Sequence, residues 1–458
     1  MTMQVSPSPI PNSSAASLTG TLLDRDAYLT ELLNRVTVSK SEGWLQEVRD
    51  RAANWVRHST LPTTRDEEWR FTDLSALRQV KFSFQPRQIS DAKGTPLSLP
   101  EAITSRLVFV NGNFAPALSA IANLPPGVKV SNLDNLPAEY QKLLQQYLAQ
   151  SEGALEVLTA LNTAGMTDAA VVWIDKNVMV ETPIHLQFIT VAEPSIMSLP
   201  RCLVVAETGS SITLIEEYTT RTGEVGVLPE NTTPEFVGFT NAVTEIWIGE
   251  NAQVNHTRIQ CEYVADFHIG KTAVTQARYS RYTCNAITLG AKISRHNLEI
   301  LQTGEQTETT LNGLTVIGGN QLADTHSAIA LNYPYGTSRQ LHKTIVGDRA
   351  HAVFNGKVFV PKLAQLTDAA QLNRNLLLSS KARVDTKPQL EITADNVKCA
   401  HGATVSQLED DEIFYLQSRG IDEESARSLL VHAFAAEIIH QVPVPSLCEK
   451  LTQTVNRF

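Results

Sequence analysis

Two side chains that commonly bind metals, Cys399 and His401, are separated by a single alanine within residues 388–404. Side chains alternate between the two faces of an extended strand, so this spacing would direct the thiol and the imidazole to the same face. A thiolate and an imidazole suit a soft or borderline metal such as iron or zinc. Two ligands seldom complete a metal site, so either a partner supplies the others or the pair serves packing alone.

A relaxed phosphate-loop pattern occurs in residues 265–272, which read ADFHIGKT. The strict pattern has glycine at the position of Ala265, and it opens a helix whose N–H groups meet the phosphates. The residues after Thr272 read as a strand instead. We therefore predict no nucleotide site here, and any use of ATP would depend on a partner.

Six further histidines lie between Asn251 and Gly402, and none has the i, i+4 spacing of a helical metal site. We expect each of them to be a surface residue or a hydrogen-bonded one. These histidines are His256, His268, His296, His326, His342 and His351.

The composition narrows the class of protein. A net charge of −10 without any basic cluster argues against nucleic-acid binding. The five cysteines form no CxxC pair, which argues against a disulfide framework or a self-contained metal site and favours a reducing compartment. No run approaches the roughly 20 apolar residues of a membrane span. We expect a soluble cytoplasmic protein, with a disordered Ser- and Pro-rich tail over residues 1–23.

Helical periodicity is concentrated at the two ends of the chain. Apolar stripes predict helices within residues 26–60 and a second helical region over residues 138–161. The pattern returns after Ser406, with Asp422 as the N-cap of a helix that Pro443 and Pro445 interrupt. The predicted apolar face of that helix comprises Ala426, Leu429, Leu430, Ala433, Phe434 and Ile438.

Between these ends, residues 169–405 consist of short β-branched and apolar runs that Gly, Asn and Asp punctuate. The runs that begin at Gly249, Gly290, Gly347 and Ser379 are weakly similar, which is typical of the coils of a parallel β-solenoid. We expect roughly 20–25 residues per coil, with Gly249 and Gly290 two coils apart. A β-sandwich would also give many short strands, but the scarcity of tight hairpin turns argues against it.

Together these patterns predict a mainly β protein with a β-helix core over residues 169–405. A mostly helical domain, residues 24–168, precedes the core, and a helical domain, residues 406–458, follows it. The ends of a solenoid expose unpaired backbone, which flanking helices would cover.

Several segments resemble the SufB/SufD family of iron–sulfur cluster assembly scaffold proteins. The resemblance extends over nearly the whole chain from about residue 24 onwards, and the CAHGATV sequence at residues 399–405 indicates the SufD branch. The segments are EEWRFTDLSAL (67–77), DTH (324–326), SRQLHK (338–343), VFNGKVFV (353–360), LTDAAQLNRNLLLS (366–379), DTKPQLEITADNVKCAHGATV (385–405) and FYLQSRGI (414–421).

The resemblance implies a right-handed parallel β-helix and a non-enzymatic subunit that pairs with SufB. Each of the two is bound by the ATPase SufC, which docks on the C-terminal helical domain; Arg419, Gly420, Leu429 and Phe434 are the residues we assign to that docking. Iron or a transient cluster would form at the SufB–SufD interface, with His401 as a ligand beside Cys399. ATP would act only through SufC, no cofactor would stay bound, and a homodimer of the isolated chain stays an alternative.

Two departures limit the resemblance. Many members carry a further histidine where this chain has Leu331, and the strand SSKARVDTK (379–387) lacks the cysteine of SufB. The chain is therefore expected not to act alone as a scaffold. The alternatives are a purely structural subunit that ligates nothing and a polysaccharide-acting β-helix enzyme, for which neither a signal peptide nor an acidic catalytic cluster is present.

Overall fold

The computed structural model describes residues 26–36, 43–84, 98–192, 194–221 and 236–456. The tail predicted to be disordered, residues 1–23, lies outside them. The α-helices in these ranges are α1 Ala27–Arg35, α2 Trp44–Arg57, α3 Ser75–Arg78, α4 Ala138–Gln141, α5 Val157–Gly165, α6 Asp410–Ser418, α7 Glu423–Ile439 and α8 Pro445–Val455.

The strands fall into two sheets that the chain visits alternately for most of its length. The strands before the solenoid proper are β1 Ser105–Val110, β2 Asn113–Phe114, β3 Ala120–Ile121 and β4 Val128–Asn132. The remaining strands are β5 Ala170–Ile174, β6 Ile184–Val191, β7 Ile196–Ser198, β8 Arg201–Ala206, β9 Ser211–Arg221, β10 Gly238–Ile248, β11 Gln253–Cys261, β12 Phe267–Gln276, β13 Arg281–Thr288, β14 Ile293–Gln302, β15 Glu308–Ile317, β16 Leu322–Ala330, β17 Thr337–Val346, β18 His351–Val360, β19 Asp368–Leu377, β20 Arg383–Ile392 and β21 Lys398–Gln407.

The two sheets form a parallel β-solenoid of about seven coils. Sheet I has the order β2-β1-β6-β9-β11-β13-β15-β17-β19-β21, and sheet II the order β20-β18-β16-β14-β12-β10-β8-β5-β4. From β8 and β9 onwards each strand pairs in parallel with the strand one coil away. The prediction of a mainly β, parallel solenoid with helices at both ends is confirmed.

The coils are longer than the sequence patterns predicted. The in-register partners Gln253, Arg281, Glu308 and Thr337 are 28, 27 and 29 residues apart. The expectation of 20–25 residues per coil is wrong because most strands here are about ten residues long, above the usual five or six. The glycine at position 249 follows β10 and that at 290 follows β13, so they lie one and a half coils apart rather than two.

At one corner of the solenoid, successive coils share the same backbone conformation and the same hydrogen bond to the next coil. Each of these corners contains a residue with positive φ, and its N–H donates to a carbonyl of the next coil's corner at 2.7–3.1 Å. Left-handed backbone is unfavourable for residues other than glycine and asparagine, so the stacked corners must hold it in place. The residues are Asn251, Tyr279, Gln306, Tyr335 and Leu366.

Helices cover the outer faces of both sheets. Helices α1, α2 and α5 pack against sheet II, where Phe239, Phe267 and Ile293 are buried. Helices α7 and α8 pack against sheet I, where Ile287 and Ile345 are buried. None of the helices in the described ranges combines the length and the hydropathy that a bilayer span needs.

Helix α7 begins after its predicted N-cap, Asp422, whose carboxylate accepts a hydrogen bond from the Ser425 N–H. Its buried face is only partly the predicted one. Ala426 and Ile438 are buried as expected, whereas Leu429 and Ala433 are exposed. The helix instead turns another face towards sheet I, and this buried face adds Val431, Ala435 and Ile439.

The helical region predicted over residues 138–161 is interrupted. Helix α4 ends at Gln141 and α5 begins only at Val157. Ala149 and Gly153 between them have positive φ, which breaks a right-handed helix. Glu245 of β10 stabilises this path, since its carboxylate accepts the N–H of Ala149 at 2.9 Å and that of Ser151 at 3.2 Å.

Candidate metal-ligand site at the last coil

Cys399 and His401 lie on β21, in the last coil of the described solenoid. Their in-register partners on β19 are Ala369 and Gln371, which face the lumen and are 2% and 3% exposed. The register therefore places the thiol and the imidazole on the same lumen-facing side of β21. Within the described ranges no strand follows β21 in sheet I or β20 in sheet II, so this side of the last coil is open.

The two candidate ligands differ in their surroundings. Cys399 is half-buried and packs against the apolar lumen cluster, where burial raises the pKa of its thiol. His401 is exposed and borders a cavity of about 440 Å³ together with Gln371, Leu372 and Gly402. The imidazole is therefore available to a ligand in solution, while the thiol is held in its protonated form unless a metal displaces the proton.

The described residues supply no complete ligand set for this pair. No group of three or more His, Cys, Asp or Glu side chains in the described part of the chain is arranged to hold a metal ion. All five cysteines belong to that part, and all are free thiols. A metal bound at Cys399 and His401 would need its other ligands from outside the described residues.

The six other histidines have partners, as predicted. His256 contacts Glu216 and Tyr282, each at 3.0 Å, inside the lumen. Burial acts to lower the pKa of His256, but hydrogen bonds with Cys284 and Glu216 outweigh it and raise the pKa to about 9. Of the other five, His268 pairs with Glu262, His296 with Thr272, and His326 with both Glu68 and Asp324. His342 pairs with Thr315, and His351 pairs with Asp385.

The residues after Thr272 continue a strand, as predicted, and this strand also includes most of the segment with the relaxed phosphate-loop pattern. Residues from Phe267 to Gln276 form β12, so no helix N-terminus is available for a phosphate. The Lys271 ammonium is buried and contacts Glu156 at 3.0 Å and Glu299 at 2.8 Å. This lysine attaches the segment before α5 to sheet II.

The structure brings together two motifs that sequence reasoning treated separately. Residues 67–72 of the EEWRFTDLSAL motif cross the outer face of sheet II. There Glu68 meets His326 of the DTH motif at 3.1 Å, and the Trp69 ring lies 3.9 Å from the Arg295 guanidinium. Nothing in the local sequence pattern signals this contact, because more than 200 residues separate its partners.

The C-terminal helices present part of the surface that the sequence singled out. Arg419, Gly420 and Leu429 are exposed. Phe434 is half-buried instead, with the Lys343 ammonium 4.4 Å from its ring, and it anchors α7 to the solenoid. Two exposed aromatic residues on α6 were not assigned to docking from the sequence, although they open the segment FYLQSRGI and follow four acidic residues there. They are Phe414, 70% exposed, and Tyr415, 58% exposed.

Within the described residues the chain is a parallel β-solenoid whose last coil carries a thiol and an imidazole and whose two sheets are covered by helices. The family model described as the SUF system FeS cluster assembly SufBD core domain matches residues 188–434, and that of the SufBD protein N-terminal region matches residues 29–186. The chain belongs to the SufBD family of the SUF iron–sulfur cluster assembly system.

Relatives from bacteria and plants support this membership over nearly the full length. An iron–sulfur cluster assembly SufBD family protein of Synechocystis is 49% identical over 94% of this chain and 95% of its own length. The chloroplastic protein ABCI7 of Arabidopsis thaliana is 34% identical, over 87% of this chain and 83% of its own. The iron–sulfur cluster assembly protein SufD of Escherichia coli is 33% identical, over 82% and 84%. The resemblance to the SufB/SufD family is thereby confirmed.

Proposed function

We propose that this chain is the SufD-type subunit of a SUF complex, in which it pairs with a SufB chain and binds the ATPase SufC. Its role is non-catalytic. It offers His401, with Cys399 beside it, to iron or to a nascent cluster that is cargo and is handed on. The observation that carries the proposal is the exposed imidazole in the open last coil. The five free thiols support a reducing compartment, the cytoplasm.

The open edges of β20 and β21 support SufB as the partner. Edge strands present unpaired N–H and C=O groups, which a second solenoid end would satisfy. Half-buried apolar side chains such as Leu390 would be covered at the same time. A second copy of this chain could use the same edges, but only a SufB chain would add the cysteine that this chain lacks.

The outer surface of α6 and α7 supports the docking of SufC on the C-terminal helical domain, residues 406–458. Phe414, Tyr415 and Leu429 form exposed apolar surface there, and exposed aromatic residues are enriched at protein interfaces. Arg419 and Gly420 lie in the connection between the two helices. ATP would act on this chain only through that contact.

The test is the substitution His401→Ala in a co-expressed complex of this chain with SufB and SufC. After anaerobic reconstitution, bound iron and sulfide would be quantified together with the subunit ratio. We expect a complex of unchanged stoichiometry with strongly reduced iron and sulfide. His440→Ala, at the exposed C-cap of α7, is the matched control and should load fully.

Two outcomes would overturn the ligand role. Full loading of the His401→Ala complex would reduce this chain to a purely structural subunit. Loss of the complex itself would make His401 an interface residue whose effect on the cluster is indirect.

A further inference from the structure

Three polar side chains occupy the same lumen position in three successive coils of sheet I. Gln340 of β17 is in register with Gln371 of β19, and Gln371 is in register with His401 of β21. The first two are 7% and 3% exposed. Because adjacent strands lie about 4.8 Å apart, side chains at in-register positions can hydrogen-bond from coil to coil. His401 is thus the next rung of a ladder of side chains.

Each glutamine amide nitrogen in this ladder donates its hydrogen bond to a residue on a preceding strand. The Gln340 amide nitrogen donates to the Ser327 hydroxyl at 2.8 Å, and the Gln371 amide nitrogen donates to the Gln340 oxygen at 2.7 Å. A Cβ at position 356 would lie 2.2 Å from the Gln371 nitrogen, so Gly356 leaves the room that this amide needs. The Gln340 oxygen therefore faces the coil that follows it.

The ladder ends on an oxygen without a partner. The Gln371 Oε1 atom is buried and accepts no hydrogen bond from any described residue. Leaving a buried amide oxygen unpaired is unfavourable, so such atoms are uncommon in folded proteins. Gln371 and His401 are in-register neighbours on β19 and β21, on the lumen-facing side of the last two coils of sheet I. The unpaired acceptor therefore lies one rung below the candidate ligand.

We propose that Gln371 is a positioning residue for His401. Its Oε1 accepts a hydrogen bond from the ring N–H of His401, which leaves the other ring nitrogen free to bind iron. An amide oxygen can only accept, so it selects one tautomer of a neutral imidazole. Such a contact also fixes the orientation of the ring, which is what metal-binding histidines commonly require. The role of His401 as a ligand rests on the proposed function, whereas the contact with Gln371 does not.

The contact can be measured on the full-length chain without iron. With ¹⁵N-labelled histidine, long-range NMR spectra give the tautomer ratio of each ring, and His401→Ala assigns the signal. Gln371→Met keeps the length of the side chain but removes the acceptor. We expect the tautomer ratio of His401 to change about fivefold, which corresponds to the loss of one ordinary hydrogen bond.

Two further variants sharpen the measurement. Gln371→Glu retains an acceptor but loses the donor to the Gln340 oxygen. At alkaline pH, where the His401 ring is neutral in the variant as well, it should keep the wild-type tautomer, which tests the contact even if the Met variant folds poorly. Gln302→Met replaces another buried glutamine, on β14, and should leave the His401 signal unchanged. An unchanged tautomer ratio in folded Gln371→Met, or a changed one in Gln371→Glu, would overturn the inference.

The consequence for iron is tested separately in the complex with SufB and SufC. Substitution of a residue that orients a metal-binding histidine commonly lowers metal affinity 10- to 100-fold, so we expect at least about a tenfold loss of iron affinity for Gln371→Met. The Glu variant should restore it. If Gln371→Met changes the tautomer of His401 but not the iron loading, the positioning role of Gln371 stands. The proposed role of His401 as an iron ligand would then be wrong.

Discussion

The inner coils and the last coil are built from strands of the same length and register, yet their side chains differ sharply in exposure. Val358 on β18 is 1% exposed, whereas its partner Leu390 on β20 is half-buried. Asn373 on β19 is fully buried, whereas its partner Ala403 on β21 is exposed. The strands do not account for this difference. It arises because each inner coil has a neighbour on both sides and the last coil has one.

The same contrast holds for polar groups. The inner coils bury several charged residues in compensated sets, such as Arg201 with Glu245 and His256 with Glu216. Burial of a charge is tolerated when a partner and hydrogen bonds replace water. His401 in the last coil is exposed instead. The buried titratable side chains of these pairs are thus engaged in structural contacts, whereas the imidazole of His401 is exposed to solvent.

The largest effect should follow from breaking a buried pair in the inner coils. Arg201 forms an ion pair with Glu245 and donates to Asn162 at 3.2 Å and to Thr163 at 3.0 Å. Arg201→Met would leave the Glu245 carboxylate buried without its cation, so we expect a loss of about 3–5 kcal/mol in the free energy of unfolding. Urea denaturation followed by circular dichroism measures it.

The control for this prediction is an exposed pair. Arg278 contacts Glu305 at 2.8 Å, and their side chains are 47% and 36% exposed. Arg278→Met should cost at most about 1 kcal/mol, because water already screens such a pair. Equal losses for the two substitutions would mean that the inner coils do not depend on compensated charges.

The dependence on neighbouring coils also explains how much the sequence could predict. The spacing of Cys399 and His401 indicated one strand face because alternation is a local property of a strand. The N-cap at Asp422 was predictable for the same reason. The contact of Trp69 with Arg295 was not, because residues far apart in sequence meet there only once the coils have stacked.

Coil length and the orientation of helix α7 also depend on contacts between residues far apart in sequence. The corner that contains Tyr279, residues 277–280, has no glycine, proline or asparagine, and its positive φ is held by the stacked corners on either side. Helix α7 carries apolar residues around much of its surface, so periodicity alone did not decide between Val431 and Leu429 as the buried residue. Packing against sheet I decides it.

An intermediate effect should appear as a pH dependence of the inner coils. The pKa of His256 is about 9 in the folded chain, above the ordinary value of 6.5. A raised pKa stabilises the fold fully below pH 6.5, and this stabilisation is lost as the pH rises through 9. At about 1.4 kcal/mol per unit of pKa difference, the loss is up to about 3 kcal/mol. Urea midpoints at pH 6.5 and 9 should differ less for His256→Gln than for the wild type.

His342 provides a control of opposite sign. Burial lowers the pKa of His342 to about 4. Its contribution is complete above pH 6.5 and is lost as the pH falls through 4, because the unfolded chain takes up the proton first. His342→Gln should therefore reduce the loss of stability in acid and leave the alkaline loss intact. If both variants behaved alike at both ends of the pH range, the two histidines would not hold opposite protonation states.

The smallest effect should come from a matched pair of cysteines. Cys284 and Cys399 both lie on sheet I, the first 1% exposed in an inner coil and the second half-buried in the last one. Cys284→Ala removes a thiol that hydrogen-bonds with His256, so we expect a loss of about 1 kcal/mol or more. Cys399→Ala should cost less than about 0.5 kcal/mol, as surface substitutions commonly do.

Thiol labelling supplies the second readout for this pair, in native buffer and in urea. Cys399 should react in the native chain, slowly because its pKa is raised, whereas Cys284 should react only when the chain unfolds. In the complex with SufB the docked partner should protect Cys399 as well, and the last coil would then behave like an inner one. If Cys399 reacted equally fast in the free chain and in the complex, the open coil would not be the partner surface, and the difference between the two regions would have no bearing on assembly.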